Sequence, residues 1–137
     1  MGAVGFEAWG QNPFAYRDDK IVAEGQAIYA ENCAACHGAG LEGQPNWRES
    51  DADGYLPAPP HDDTGHTWHH PDLQLLEIVR NGTAAYAGGG YRSNMPGFGD
   101  VLSDDQILAV LAYIKHTWPK RIIARHDELN EAYEAAN

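Results

Sequence analysis

The chain has 137 residues, 43% of them hydrophobic and 21% charged, with 9 basic against 20 acidic side chains and a formal charge of −11. That is enough for one folded domain, its charge argues against nucleic acid or an anionic lipid surface as partner, and no apolar run of about eighteen residues offers a membrane span. Two cysteines cannot make a disulfide framework, and at Cys33 and Cys36 they stand three positions apart, a spacing that carries chemistry rather than stapling a fold.

Residues 1–17 mix glycine, proline and aromatics without a period and read as an irregular arm. They lack the basic start, apolar middle and small-residue end of a secretory signal peptide. Helical spacing begins at Asp18, where Ile21, Gly25, Ile28, Tyr29 and Asn32 share one stripe, and predicts a helix over 18–36 running into the cysteine motif. From 38 to 71, prolines, glycines and short polar runs predict loop with one short turn. Pro71 marks the first position of a second helix, Leu73, Leu75, Leu76, Ile78 and Val79 its apolar residues, and Gly82 its stop. The glycine-rich stretch 84–100 places Met95 on a loop.

The next helix is the best signalled. Ser103 and Gln106 form a capping box, Ile107, Val110, Leu111 and Ile114 make an apolar face, and Pro119 ends the element near Trp118. Ile122, Ile123, Leu129 and Tyr133 predict a short amphipathic tail helix packed on the body. With no strand alternation and no repeat, the expectation is an all-α fold of three to five helices with long loops. Its parts are an arm (1–17), a domain (18–118) and a C-terminal helical extension (119–137).

Residues 33–37 read Cys-Ala-Ala-Cys-His. On a helix, positions i and i+3 lie on one side, so both thiols can reach the two vinyl groups of one porphyrin edge, while His37 turns its imidazole toward the iron. This is the attachment pattern of a c-type haem. A structural zinc site would need Cys33, Cys36, His61 and His66, at a gap outside the usual finger spacings. A thioredoxin-like redox pair needs a βαβ context that a helical, glycine-looped sequence does not offer.

The sixth iron ligand decides whether such a haem passes electrons or binds small molecules. Met95 is the only methionine besides Met1, and it follows His37 by 58 residues within Asn94-Met95-Pro96-Gly97. A lone methionine more commonly fills core gaps, but those sit on helix stripes and this one sits in a loop. Thioether sulfur favours ferrous iron, so His/Met ligation predicts a raised potential.

On these residues the chain resembles the class I cytochrome c family. Cys33, Cys36 and His37 match its attachment motif, Met95 with Pro96 its distal ligand loop, and Gly25, Tyr29 and Tyr113 the residues at its crossed terminal helices. The resemblance covers roughly residues 18–118. It implies a class I cytochrome c fold around one covalently attached haem c. The implied ligands are His37 and Met95, and a proline carbonyl supports His37: Pro45 is nearest, with Pro57, Pro59 and Pro60 competing. The sequence is also similar to bacterial mono-haem members with a Pro-Pro-His and a Trp-His-His-Pro segment.

His61, His66, His69 and His70 fall within ten residues. They could hold a second metal such as copper or zinc, ligate the haem as a second histidine, or wrap its edge, with Trp68 and one or two imidazoles donating to the propionates. Residues 18–63 carry ten acids and two bases, an acidic rim expected to dock basic or neutral redox partners (an oxidase, reductase or dehydrogenase) with salt-sensitive association. The implied function is a monomeric, periplasmic one-electron carrier that catalyses no reaction itself. The alternatives are a haem enzyme or gas or peroxide sensor with a labile Met95, and a copper-handling protein using the 61–70 loop. Without a signal peptide, the chain is expected to be a mature form, or part of an anchored or larger redox protein.

Overall fold

The computed structural model describes residues 15–83, 88 and 95–136. These form five α-helices, α1 (Asp19–Asn32), α2 (Ala34–His37), α3 (Asp72–Asn81), α4 (Asp104–His116) and α5 (Lys120–Ala136), with a 3-10 turn at Thr67–His69. Among the described residues there is no strand. The all-α expectation holds, whereas the arm up to residue 14 and most of the glycine-rich loop before Met95 lie outside the described residues.

Asp18 caps α1, its carboxylate accepting from the backbone N–H groups of Lys20 and Ile21. The single helix expected over 18–36 is broken instead. Cys33 leaves the helical region at φ −121° and ψ −34°, and a fresh turn starts at Ala34. Pro71 precedes α3 rather than opening it, at φ −64° and ψ 158°. The capping box of α4 is present in full: the Gln106 N–H donates to Ser103 Oγ, and the Ser103 N–H to Gln106 Oε1.

The core forms where α1 crosses α4. Ile107, Leu108, Val110, Leu111 and Ile114 of α4 are buried with Tyr29, Leu75 and Leu76. At the crossing, Gly25 faces the backbone of Ala109, and the Tyr29 and Tyr113 rings pack at 5.6 Å, tilted by 56°. The Tyr29 hydroxyl donates to the Gly38 carbonyl at 2.7 Å, fixing the end of the cysteine turn onto the crossing. The C-terminal end of α3 meets the start of α4 through a two-pronged Arg80–Asp104 pair at 2.8 and 3.1 Å.

α5 runs 17 residues, longer than the short tail its apolar residues signal. It packs against the 3-10 turn. Its inward residues are Ile122, His126 and Asn130, one turn apart, so the buried stripe is two-thirds polar. The His126 Nε2 atom lies 2.9 Å from the His70 carbonyl and 3.2 Å from Asp72 Oδ1. Asn130 Oδ1 accepts the Asp72 N–H, which opens α3.

Candidate functional site

The turn from Cys33 to His37 is closed by the His37 N–H donating to the Cys33 carbonyl at 2.9 Å, which gathers Cys33, Cys36 and His37 on one side. Both cysteines are free thiols, Cys33 half-buried and Cys36 exposed. Burial, with Cys36 alongside, pushes the Cys33 thiol up to about 11. A redox-active CxxC pair needs its leading cysteine held as a thiolate at low pKa, and Cys33 is shifted the opposite way.

His37 is 7% exposed. Its Nδ1 lies 2.8 Å from the Pro59 carbonyl, an acceptor only, so Nδ1 carries the proton and Nε2 keeps the lone pair a metal needs. Burial lowers its pKa, partly opposed by that same carbonyl, and the imidazole is neutral at pH 7. Of the four prolines in contention, Pro59 makes this contact, and Pro45, nearest in sequence, is exposed.

The approach is possible because Gly43 sits at φ +74°, where a Cβ would stand 2.6 Å from the Pro60 nitrogen and 2.8 Å from the Pro59 carbonyl carbon. The Gly43 N–H also donates to the His37 carbonyl. One glycine thus draws the proline pair against the histidine turn.

His61 lies beside His37, ring centroids 4.0 Å apart and tilted by 34°. Its Nδ1 is 2.7 Å from Thr67 Oγ1, and burial holds its pKa well below the usual histidine value, with His37 adding to the effect. Two axial imidazoles must face each other across a porphyrin, and rings packed this closely leave no room for one between them. This packing does not suit His61 to be a ligand opposite His37, were a haem bound there.

Met95 is half-buried. Its sulfur accepts the Thr83 hydroxyl at 3.3 Å. The following segment is bonded to the end of α3, with the Phe98 N–H donating to the Val79 carbonyl and the Gly99 N–H to the Arg80 carbonyl. Thr83 carried no sequence signal, since its partner stands 12 residues away in sequence.

The Trp68 indole N–H donates to the Asp63 carbonyl at 3.1 Å, and its ring stacks on His69 at 3.9 Å. A propionate bond from Trp68 would have to replace that one. His66 and His69 are both exposed, their rings 5.3 Å apart, and Trp47 meets His66 edge-on. Among the described residues, no three His, Cys, Asp or Glu side chains are grouped to hold a metal ion. Eight of the ten acids in 18–63 are exposed, though Asp18 and Asp51 also shape local backbone by accepting its N–H groups.

Paired thiols one turn apart, beside a buried neutral imidazole whose Nε2 remains for a metal, fit a covalently attached haem. Cys33 and Cys36 would hold it, and His37 would ligate its iron.

The chain is 30% identical over 93 residues to the cbb3-type cytochrome c oxidase subunit FixP of Azorhizobium caulinodans. It is 28% identical over 94 residues to the subunit of the same name from Sinorhizobium medicae. Each match covers 68% of this chain but only 28% and 29% of the relative, so the chain spans under a third of the length of these curated relatives. No solved structure gives a significant match. The family model described as Cytochrome c matches residues 22–118, a span that holds the cysteine turn, Pro59 and Met95 alike. The chain belongs to the cytochrome c family, and its work is electron transfer by a covalently bound haem c.

Proposed function

We propose that the chain is an extracytoplasmic, single-haem, one-electron carrier with His37 and Met95 as axial ligands. The observation that carries it is the 2.8 Å contact from His37 Nδ1 to the Pro59 carbonyl, which fixes the tautomer and leaves Nε2 to the iron. The bound haem supplies a one-electron ferric/ferrous couple. Met95 supports the sixth position because its thioether sulfur is a soft donor suited to haem iron, and Thr83 holds that sulfur by donating its hydroxyl at 3.3 Å. No described helix is long and apolar enough to cross a membrane, and haem attachment in this family takes place outside the cytoplasm.

The similarity to FixP favours a second reading in which this domain hands electrons to or from a larger oxidase, with any catalytic site residing on that partner. In both readings the exposed acids of 18–63 suit a basic or neutral docking surface.

The test is the optical spectrum of the holoprotein in both oxidation states, with and without carbon monoxide. The wild type is expected to show the long-wavelength band of oxidised His/Met haem and to leave carbon monoxide unbound, while Met95→Ala loses the band and binds the gas. Carbon monoxide binding by the wild type would favour the sensor or enzyme alternative instead. A finer variant addresses Thr83. A hydroxyl donating to the Met95 sulfur withdraws density from it, so Thr83→Val makes the sulfur a stronger donor to ferric iron and lowers the midpoint potential. A hydrogen bond worth about 1 kcal/mol more in one oxidation state corresponds to roughly 40 mV for one electron. Voltammetry of the variant showing an unchanged or raised potential would remove Thr83 from this role.

A further inference from the structure

We infer that His61 is a positioning residue for the axial histidine, fixing the plane of the His37 ring. This inference rests on His37 as an iron ligand, as proposed above. The Pro59 carbonyl holds His37 at a single atom, Nδ1, and one hydrogen bond leaves the ring able to turn about that contact. A second constraint has to act on the ring's face. His61 provides it, with its own ring 4.0 Å away and tilted by 34°.

A positioning group must itself be held, and His61 is tied from three directions. Its N–H donates to the Leu41 carbonyl at 2.9 Å, in the loop that follows the cysteine turn. Its carbonyl accepts the indole N–H of buried Trp118, just past the end of α4, at 2.8 Å. Its Nδ1 meets Oγ1 of Thr67, a buried residue at the start of the 3-10 turn, at 2.7 Å. A single residue, Pro60, with φ fixed by its ring, connects the Pro59 carbonyl that orients His37 to the residue whose ring packs on it. Both constraints on His37 therefore come from the tripeptide Pro59-Pro60-His61, and Thr67 and Trp118 hold that tripeptide in the fold.

The orientation of an axial imidazole plane sets how unpaired spin spreads over the four quadrants of an oxidised haem, so proton NMR reads it through the four haem methyl shifts. The experiment compares wild-type holoprotein with His61→Ala and His61→Phe, recording the methyl shifts of the oxidised form and the midpoint potential. His61→Ala is expected to redistribute the methyl shifts and move the potential, and His61→Phe, which restores a ring on the same face, to return both toward the wild-type values. A wild-type methyl pattern in His61→Ala overturns the inference, as does a His61→Phe protein as altered as the alanine variant. Should His61→Ala fail to take up haem, Thr67→Val keeps both rings and removes only the Oγ1 anchor. It must then show a smaller change of the same kind, and an unchanged pattern would overturn the inference equally. The carbon monoxide and optical tests report on Met95, so failure of His/Met ligation is seen separately from failure of His61.

Discussion

Gly25→Ala is expected to destabilise the folded holoprotein by about 2 kcal/mol, even though alanine is the better helix former. Two effects oppose. Replacing a mid-helix glycine stabilises α1 by roughly 1 kcal/mol through backbone entropy. Against that, a Cβ at position 25 would overlap the carbonyl oxygen of Ala109 and lie 2.6 Å from its carbonyl carbon and 3.0 Å from the Cβ of Tyr113. These are backbone and near-backbone atoms with no rotamer to change, so α1 and α4 must move apart as bodies. The Tyr29–Tyr113 contact is made at that interface, and overpacking a tight core site costs on the order of 3 kcal/mol. The clash outweighs the propensity gain. Guanidinium unfolding of the two holoproteins checks the sign, and a variant as stable as the wild type or more so would show that the helices can re-space without loss. Because Tyr29 also anchors the Gly38 carbonyl at the end of the cysteine turn, the loss should be accompanied by looser haem uptake during assembly.

How far the site was legible in the sequence depends on the reach of each interaction. The Cys33-to-His37 turn, the Ser103/Gln106 capping box and the small residue at the helix crossing are local patterns or single-position demands, and each appears in the structure where its spacing puts it. The partner of His37 was not legible. Choosing Pro59 over Pro45 depends on the path of the loop after the cysteine turn. That loop runs through left-handed backbone at Leu41 (φ 64°) and Asn46 (φ 56°), and a leucine gives no hint of such a turn. The contact between His37 and His61 follows from that path and was equally hidden. α5 teaches a different point. Its apolar residues Ile122, Ile123, Leu129 and Tyr133 signal a short amphipathic helix packed on the body, yet its buried stripe is Ile122, His126 and Asn130. A spacing of four places these three on one face, but a hydrophobicity pattern discards polar residues, so a polar interior is missed by construction. Thr83 on Met95 and Thr67 on His61 were hidden for the same reason, each being a small polar group that a hydrophobicity pattern discards.

The polar interior under α5 predicts a stability that falls as the solution becomes acidic through the titration of one histidine. His126 is fully buried and faces groups from every element around it. The Asp72 carboxylate and the His70 carbonyl stand on the α3 side, Lys115 belongs to α4, Asp127 is its neighbour on α5, and Trp118 meets it edge-on at 5.2 Å. Burial, reinforced by the buried Lys115 cation, outweighs the His70 carbonyl and Asp127 and lowers its pKa from 6.5 to about 4. Lys115 Nζ is paired with Asp127 Oδ1 at 2.6 Å. The fold thus holds His126 neutral, with Nε2–H shared between the His70 carbonyl and Asp72, while the unfolded chain protonates it near 6.5. Its contribution to stability is complete above pH 6.5 and is lost as pH falls toward 4, by about 3 kcal/mol in all. Denaturant unfolding at several pH values between 7 and 4.5 should show this slope in the wild type, and His126→Gln, which keeps a side-chain donor for the His70 carbonyl but cannot titrate, should flatten it. A wild-type stability that rises on acidification would mean that Asp72 holds an imidazolium there, and an unchanged slope in His126→Gln would assign the acid sensitivity to the carboxylates.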